Sequence, residues 1–208
     1  MNILVIGKRG IGLEIIKQGL EHGHNIRVLA RAPESLKVTG SKLSFYRGDA
    51  VNPDDVNEAA KGMDVIISAM GVAPTNKEVN AFSTAGANII KSVKNNGVKL
   101  FISVTGIGAG DSNCHGGFFY DRFINPLLLG KIYADKDRHE LQLKQSDINW
   151  IIVRPGFLTN GPLTQHYRVL TDMTGVKCKS ISRADCAHFI LSQAASRTYI
   201  KQTPLITY

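Results

Sequence analysis

Cysteine is scarce in this chain: three in 208 residues, Cys114, Cys178 and Cys186, with no Cys-x-x-Cys pair. That excludes a disulfide framework and a thiolate metal or redox motif, and it suits a reducing compartment. Long apolar runs are missing too. No stretch approaches the ~20 residues of a membrane span. The first apolar run, Ile3–Ile6, is too short for a signal peptide and leads into glycines. There is no Gly-x-Ser-x-Gly elbow. Gly130-Lys131 is followed by Ile132, with no glycine five residues before Gly130, so a Walker-type phosphate loop is excluded. The histidines (His22, His24, His115, His139, His166, His188) show no metal-ligand spacing. Acidic residues are outnumbered 17 to 25, a formal charge of +8, yet the basic ones form no arm or stripe. Scattered positive charge suits an anionic small molecule better than nucleic acid. The expectation is a soluble, cytoplasmic protein with neither nucleic acid nor membrane as partner.

The most informative residues come first. Met1-Asn-Ile-Leu-Val-Ile-Gly-Lys-Arg-Gly-Ile-Gly12 is a buried-type strand running straight into a glycine loop, with apolar, helix-compatible sequence after it. A dinucleotide-binding βα turn needs that order. In such a turn Gly7 permits the sharp bend, Gly10 lets backbone approach a pyrophosphate, and Gly12 lets a helix start close to the sheet. The helix beginning near Ile11 then aims free N–H groups and its positive dipole end at phosphate. The spacing is Gly-x-x-Gly-x-Gly rather than Gly-x-Gly-x-x-Gly, and the loop alone reads equally well as a tight turn.

Apolar runs alternate with amphipathic segments along the rest of the chain. Strands are expected at Asn2–Ile6, Asn25–Ala30, Leu43–Tyr46, Val65–Ala69, Lys99–Val104 and Trp150–Val153, and helices near Ile11–His22, Asp54–Lys61, Lys77–Asn95 and Tyr133–Gln145. In the third helix Val79, Phe82, Ile89 and Val93 share a face. Gly23 and Asn96-Gly97 are helix stops. Val65-Ile-Ile67 and Ile151-Ile-Val153 are continuously apolar, as strands covered on both faces are. Strand–helix alternation implies right-handed βαβ units and a parallel sheet. The fold class expected is α/β, a single-domain doubly wound Rossmann-type parallel sheet over residues 1–208, with a small C-terminal substrate-side segment. Gly106–Gly117 and the irregular stretch from Arg154-Pro155-Gly156 to about Pro162 leave the carboxyl ends of strands, where open α/β sheets bind ligands. The first is either a lid or a surface loop.

The second strand ends Val28-Leu-Ala-Arg31, an arginine nineteen residues beyond Gly12, where an NAD-preferring site carries an acid. Arginine there pairs with a 2′-phosphate and stacks on adenine, with Lys8 and Arg9 adding charge; the bland reading is an exposed side chain near Pro33. Loop and arginine together favour NADP(H) over NAD(H). Asp49, in Gly48-Asp49-Ala50, either reaches the adenine amino group or is a turn or cap aspartate. Ser68-Ala69-Met70-Gly71 closes the fourth strand with small residues that let a cofactor pass closely.

With Ser103-Val-Thr105, Lys136-Asp-Arg-His-Glu140, Trp150-Ile-Ile-Val-Arg-Pro155-Gly156 and Ile181-Ser-Arg-Ala-Asp185, these motifs resemble the atypical short-chain dehydrogenase/reductase group over essentially the whole chain. Within it they are most similar to the small NmrA-type NAD(P)H-binding proteins that include flavin reductase (biliverdin-IXβ reductase). The resemblance implies that Gly7, Lys8, Arg9, Gly10, Ile11, Gly12 and Arg31 hold the pyrophosphate and 2′-phosphate. Asp49 and Ala50 would meet adenine, and Ala69, Met70 and Gly71 the adenosine ribose. Thr105 and Lys136, the candidate catalytic residues, would orient the nicotinamide end, with Pro155 and Gly156 passing near it. Arg183-Ala-Asp185 would start a C-terminal helix as structure.

The chain departs from the group in three places. The third glycine comes one residue early, with Leu13 in its place. Tyr133 and Lys136 are three apart rather than the four of Tyr-x-x-x-Lys, so Tyr133 reads as packing. Phe157 stands where the flavin reductase has a histidine. Without that acid, the protein's contribution to hydride transfer would be positioning and exclusion of water. Phe118, Phe119 and Phe157 are either walls of a flat apolar acceptor site or ordinary core. The expected function is NADP(H)-dependent hydride transfer to a flavin, tetrapyrrole, quinone or similar planar acceptor, by a monomer or homodimer. The alternative is a non-catalytic NADP(H) sensor acting through a protein partner.

Overall fold

The computed structural model describes all residues except 74, 76, 110–129, 173 and 175–177. Cys114, His115, Phe118, Phe119 and most of the Gly106–Gly117 loop therefore lie outside the described residues.

The chain alternates strands and helices as the sequence predicts: β1 (Asn2–Ile6), α1 (Ile11–Glu21), β2 (Asn25–Ala30), β3 (Leu43–Arg47), α2 (Pro53–Ala59), β4 (Val65–Ser68), α3 (Ala81–Asn96), β5 (Leu100–Val104), α4 (Gly130–Gln145) and β6 (Trp150–Pro155). The C-terminal part adds β7 (Phe157–Thr159), β8 (Arg168–Leu170), β9 (Ser180–Ser182), α5 (Arg183–Ser196) and β10 (Leu205–Thr207). The main sheet has the order β3-β2-β1-β4-β5-β6-β10-β8. β1 pairs in parallel with both β2 and β4, so the strand order reverses beside β1 and opens a crevice at the carboxyl edge.

Alternation along each strand sends side chains to two cores. Ile3, Val5, Val65, Ile67, Ile102 and Val153 meet α1 and α5 on one face. Leu4, Ile6, Ile66, Phe101, Ile152 and Trp150 meet α2, α3 and α4 on the other. A period of two feeding helices on both faces explains why these strands read as continuous apolar runs.

The expected doubly wound parallel sheet is present, with one strand added at its edge, β8, antiparallel to β10. Two expectations are corrected. The segment after Gly156 is not irregular throughout, because Phe157–Thr159 pairs with Ser180–Ser182, a partner too distant in sequence to be foreseen. Helix α3 begins at Ala81 rather than Lys77, leaving Val79 buried but outside it. Its N-terminus is capped from another helix, for the Asp135 carboxylate accepts from Phe82 N at 2.8 Å and Ser83 N at 3.4 Å. A cap supplied from α4 fixes a start that local sequence does not mark.

Candidate active site

The glycine loop is held in shape by close contact. Gly7 has φ +104°, and a Cβ there would lie 2.5 Å from the Ala69 carbonyl oxygen. A Cβ on Gly12 would lie 2.2 Å from the Gly7 carbonyl oxygen, so only glycine lets α1 start this close to β1. The early third glycine thus does the packing work, and the irregular spacing still builds a tight βα turn.

Around the loop a cleft of about 860 Å³ runs along the carboxyl edge of the sheet, a size that suits a cofactor-sized ligand. Gly7, Lys8, Arg9, Gly10, Ile11 and Arg31 line one end and the middle. Ala69, Met70 and Gly71 line it below β4, and Thr105, Lys136, Pro155 and Gly156 the end at β5 and β6. Gly12, Asp49 and Ala50 do not line the cleft. Gly12 sits behind the loop. Asp49 is a turn residue, its Oδ1 accepting from Val51 N at 3.2 Å. Ala50 is buried in the core on the α2–α3 side.

The β2 end is more elaborate than the sequence suggested. Lys8 Nζ donates to the Ala32 carbonyl and to Ser35 Oγ, strapping the glycine loop to the turn after β2. Arg31 is exposed on the cleft wall beside this strap. Ser35 lines the cleft as well. No motif marked it, although its hydroxyl four residues after Arg31 is a polar group in a turn, a weak signal.

The other end is built on α4, whose buried face carries four polar side chains. Asp135 caps α3. Lys136 Nζ donates to the Thr105 carbonyl and lies 4.9 Å from the Tyr133 ring centroid and 5.3 Å from that of Phe82. Ser103 Oγ and His139 Nε2 are 2.7 Å apart. Glu140 accepts from Thr105 Oγ1 at 2.7 Å and from Arg154 Nε and Nη2 at 3.2 and 2.5 Å. Burial lowers the Lys136 ammonium to about 8, against the opposing pull of Glu140 and Asp137. Burial likewise lowers His139 to about 4, so its ring is neutral.

These contacts and the cleft lining alter the readings of four residues. The Thr105 hydroxyl is committed to Glu140, so Thr105 offers the cleft little chemistry and serves to anchor α4 to β5. Tyr133, read as a packing residue, lines the cleft beside Lys136. Phe157, at 38 % exposed, is not core but stands on the cleft rim with Leu158. Arg183, read as structural, lines the cleft against Gly10. The signal for it was its motif position at a helix start, which gave no hint that the side chain crosses to the glycine loop.

Residues 7–197 match the model of the NAD(P)H-binding family. The chain belongs to this family. The match agrees with the resemblance carried by the motifs, and the cradle at Gly7 and Gly12 fits a dinucleotide. Among curated family-like proteins, an uncharacterized chloroplastic protein of Arabidopsis thaliana is 29% identical over 178 residues, 78% of this chain and 61% of its own length. An NAD(P)H azoreductase of Xenophilus azovorans is 26% identical over 157 residues, 74% of this chain and 48% of its own length. The chain thus spans about half to three-fifths of these relatives. Among solved structures, ChuY, an anaerobillin reductase from Escherichia coli, superposes with TM-score 0.83 at 22% identity, covering 100% of this chain and 97% of that one. A short-chain dehydrogenase/reductase from Veillonella parvula in complex with NADP gives TM-score 0.83 at 15% identity, covering 100% and 94%. At such identities the likeness is one of fold. Among the described residues no cluster suited to a metal ion is present, and no helix is long and apolar enough to cross a membrane.

Proposed function

We propose that this chain is an NADP(H)-dependent reductase passing hydride to a planar acceptor such as a flavin, quinone or tetrapyrrole. One observation carries the reading: among the described residues, the charged side chains lining the cleft, Lys8, Arg9, Arg31, Lys136 and Arg183, are all basic. A 2′-phosphate and a pyrophosphate together bring several negative charges, and these five cations are matched to them. Arg31, Lys8 and Ser35 converge at the β2 end, where a 2′-phosphate would lie, and this supports NADP(H) over NAD(H).

The bound cofactor would supply a hydride from its dihydronicotinamide. The chain's own groups bind, orient and hold a proton. Met70, Val72, Phe157 and Leu158 give the cleft apolar lining suited to a flat ring. Lys136, fixed by Thr105 and flanked by Tyr133, holds a proton at the same end. A non-catalytic sensor would need neither feature, and their presence in one cleft favours the enzyme. The test is oxidation of NADPH with FMN, FAD, a quinone and a linear tetrapyrrole. Turnover with at least one of them supports the reading. Measured NADPH binding without turnover on any would sink it.

A further inference from the structure

The reductase reading assigns phosphate binding to the glycine loop and the residues after β2. The structure brings a further cation to the same loop from the far end of the sequence. Arg183 is the first residue of α5. Its Nε lies 3.4 Å and its Cδ 3.7 Å from where a Cβ of Gly10 would stand, so the guanidinium plane borders the loop itself. Arg183 also lines a second groove of about 550 Å³ on the outer side of α1, with Gly10, Lys17 and Asn160. Arg183 and Gly10 line both groove and cleft, and the groove carries the carboxylates Glu14 and Glu21 as well.

The aim of this side chain is built in. Ser182 Oγ accepts from Asp185 N at 2.9 Å and donates to the Pro162 carbonyl at 3.0 Å, fixing both the start of α5 and the preceding loop. The Asp185 carboxylate accepts from Thr164 N at 2.8 Å, Gln165 N at 2.7 Å and Tyr208 Oη at 2.6 Å. Arg183 Nη1 donates to Asn160 Oδ1 at 2.7 Å. Among the described residues its Nε and Nη2 have no acceptor. An arginine held on one side by Asn160, with its Nε beside a glycine loop, is arranged for an anion there.

We propose that Arg183 binds the cofactor's pyrophosphate across Gly10, and that through Asn160 it ties the segment after β7 to cofactor occupancy. The proposal rests on the reductase reading for the identity of the ligand, but not on turnover. No bond is made or broken; the guanidinium donates hydrogen bonds to phosphate oxygens in place of water.

The test is equilibrium binding, by calorimetry, of NADPH, 2′-phospho-ADP-ribose and adenosine 2′-monophosphate to wild type and variants. The first two ligands carry the pyrophosphate and the third does not. Arg183→Met should weaken NADPH and 2′-phospho-ADP-ribose by about 10- to 100-fold, the range for losing a charged hydrogen-bond partner. It should leave adenosine 2′-monophosphate within about two-fold. Arg183→Lys should recover part of the loss, and Lys17→Met in the neighbouring groove should lose nothing. Limited proteolysis should show the 157–165 segment protected by NADPH in wild type but not in Asn160→Ala. Unchanged NADPH affinity in Arg183→Met, or an equal loss for adenosine 2′-monophosphate, overturns the assignment. Failure of wild type to bind NADPH at all overturns the cofactor reading instead, so the two failures are distinct.

Discussion

Glu140 on α4 and Arg154 on β6 face each other in the interior, 2 % and 1 % exposed, joined through Arg154 Nη2 and Glu140 Oε2 at 2.5 Å. The pair also takes the Thr105 hydroxyl, so one carboxylate ties together α4, β5 and β6 beneath the end of the cleft that carries Lys136.

Arg154→Met should strand the Glu140 carboxylate and cost about 3 to 5 kcal/mol, the range for breaking a buried pair from one side. The double variant Glu140→Leu with Arg154→Met should lose much less than the two single losses added. Urea denaturation measures all three, and strict additivity would show that the two residues do not act as a pair.

His139 sits against Gly86 with its Nδ1 buried and without a hydrogen-bond partner among the described residues. Its folded value, about 4, lies below the ordinary 6.5 because burial disfavours the imidazolium, although Glu140 and Asp135 favour it. The unfolded chain therefore binds this proton first. The contribution is fully present above about pH 6.5 and is lost as pH falls towards 4, on the order of 3 kcal/mol in all. Urea midpoints between pH 4 and 7.5 should fall less steeply in His139→Gln than in wild type; parallel slopes would remove His139 as the cause.

Gly12→Ala forces a methyl to within 2.2 Å of the Gly7 carbonyl oxygen unless the loop moves. The cost should be about 1 to 3 kcal/mol, typical of overpacking, with NADPH affinity reduced at least as much as stability. A thermal melt with and without NADPH checks both. Wild-type behaviour would mean the loop is looser than this contact implies.

Lys136 holds its proton to about pH 8. If its ammonium serves the reaction, kcat/KM for NADPH-driven reduction should decline as pH rises through that value. Lys136→Met should lower kcat by about 100-fold, a modest acid–base effect, and abolish that limb. A variant that keeps the limb would assign it to another group.

Arg31→Asp should weaken NADPH by about 100-fold, as losing a charge-assisted phosphate contact and gaining repulsion would, while NADH changes little. Fluorescence titration of both cofactors decides it, and an equal loss for the two would end the 2′-phosphate assignment.

The sequence by itself determined the alternation of strands and helices, the glycine turn and the basic residue after β2. Those follow from local physics: apolar periodicity sets the element type, and glycine at Gly12 answers a backbone contact with Gly7 five residues before it. The contact that requires glycine at Gly7, by contrast, comes from Ala69 on the neighbouring strand end and belongs to the tertiary structure. It also placed the Lys136–Glu140 motif within an expected helix, Tyr133–Gln145. Only the tertiary structure decided what those side chains do. The Thr105 hydroxyl donates to Glu140 rather than into the cleft, because the carboxylate buried there to meet Arg154, fourteen residues beyond it, has further lone pairs that need a donor. Asp135 caps a helix more than fifty residues before it. Arg183 reaches Gly10 because α5 and α1 pack side by side on one face of the sheet, a closeness set by the fold and invisible along the chain.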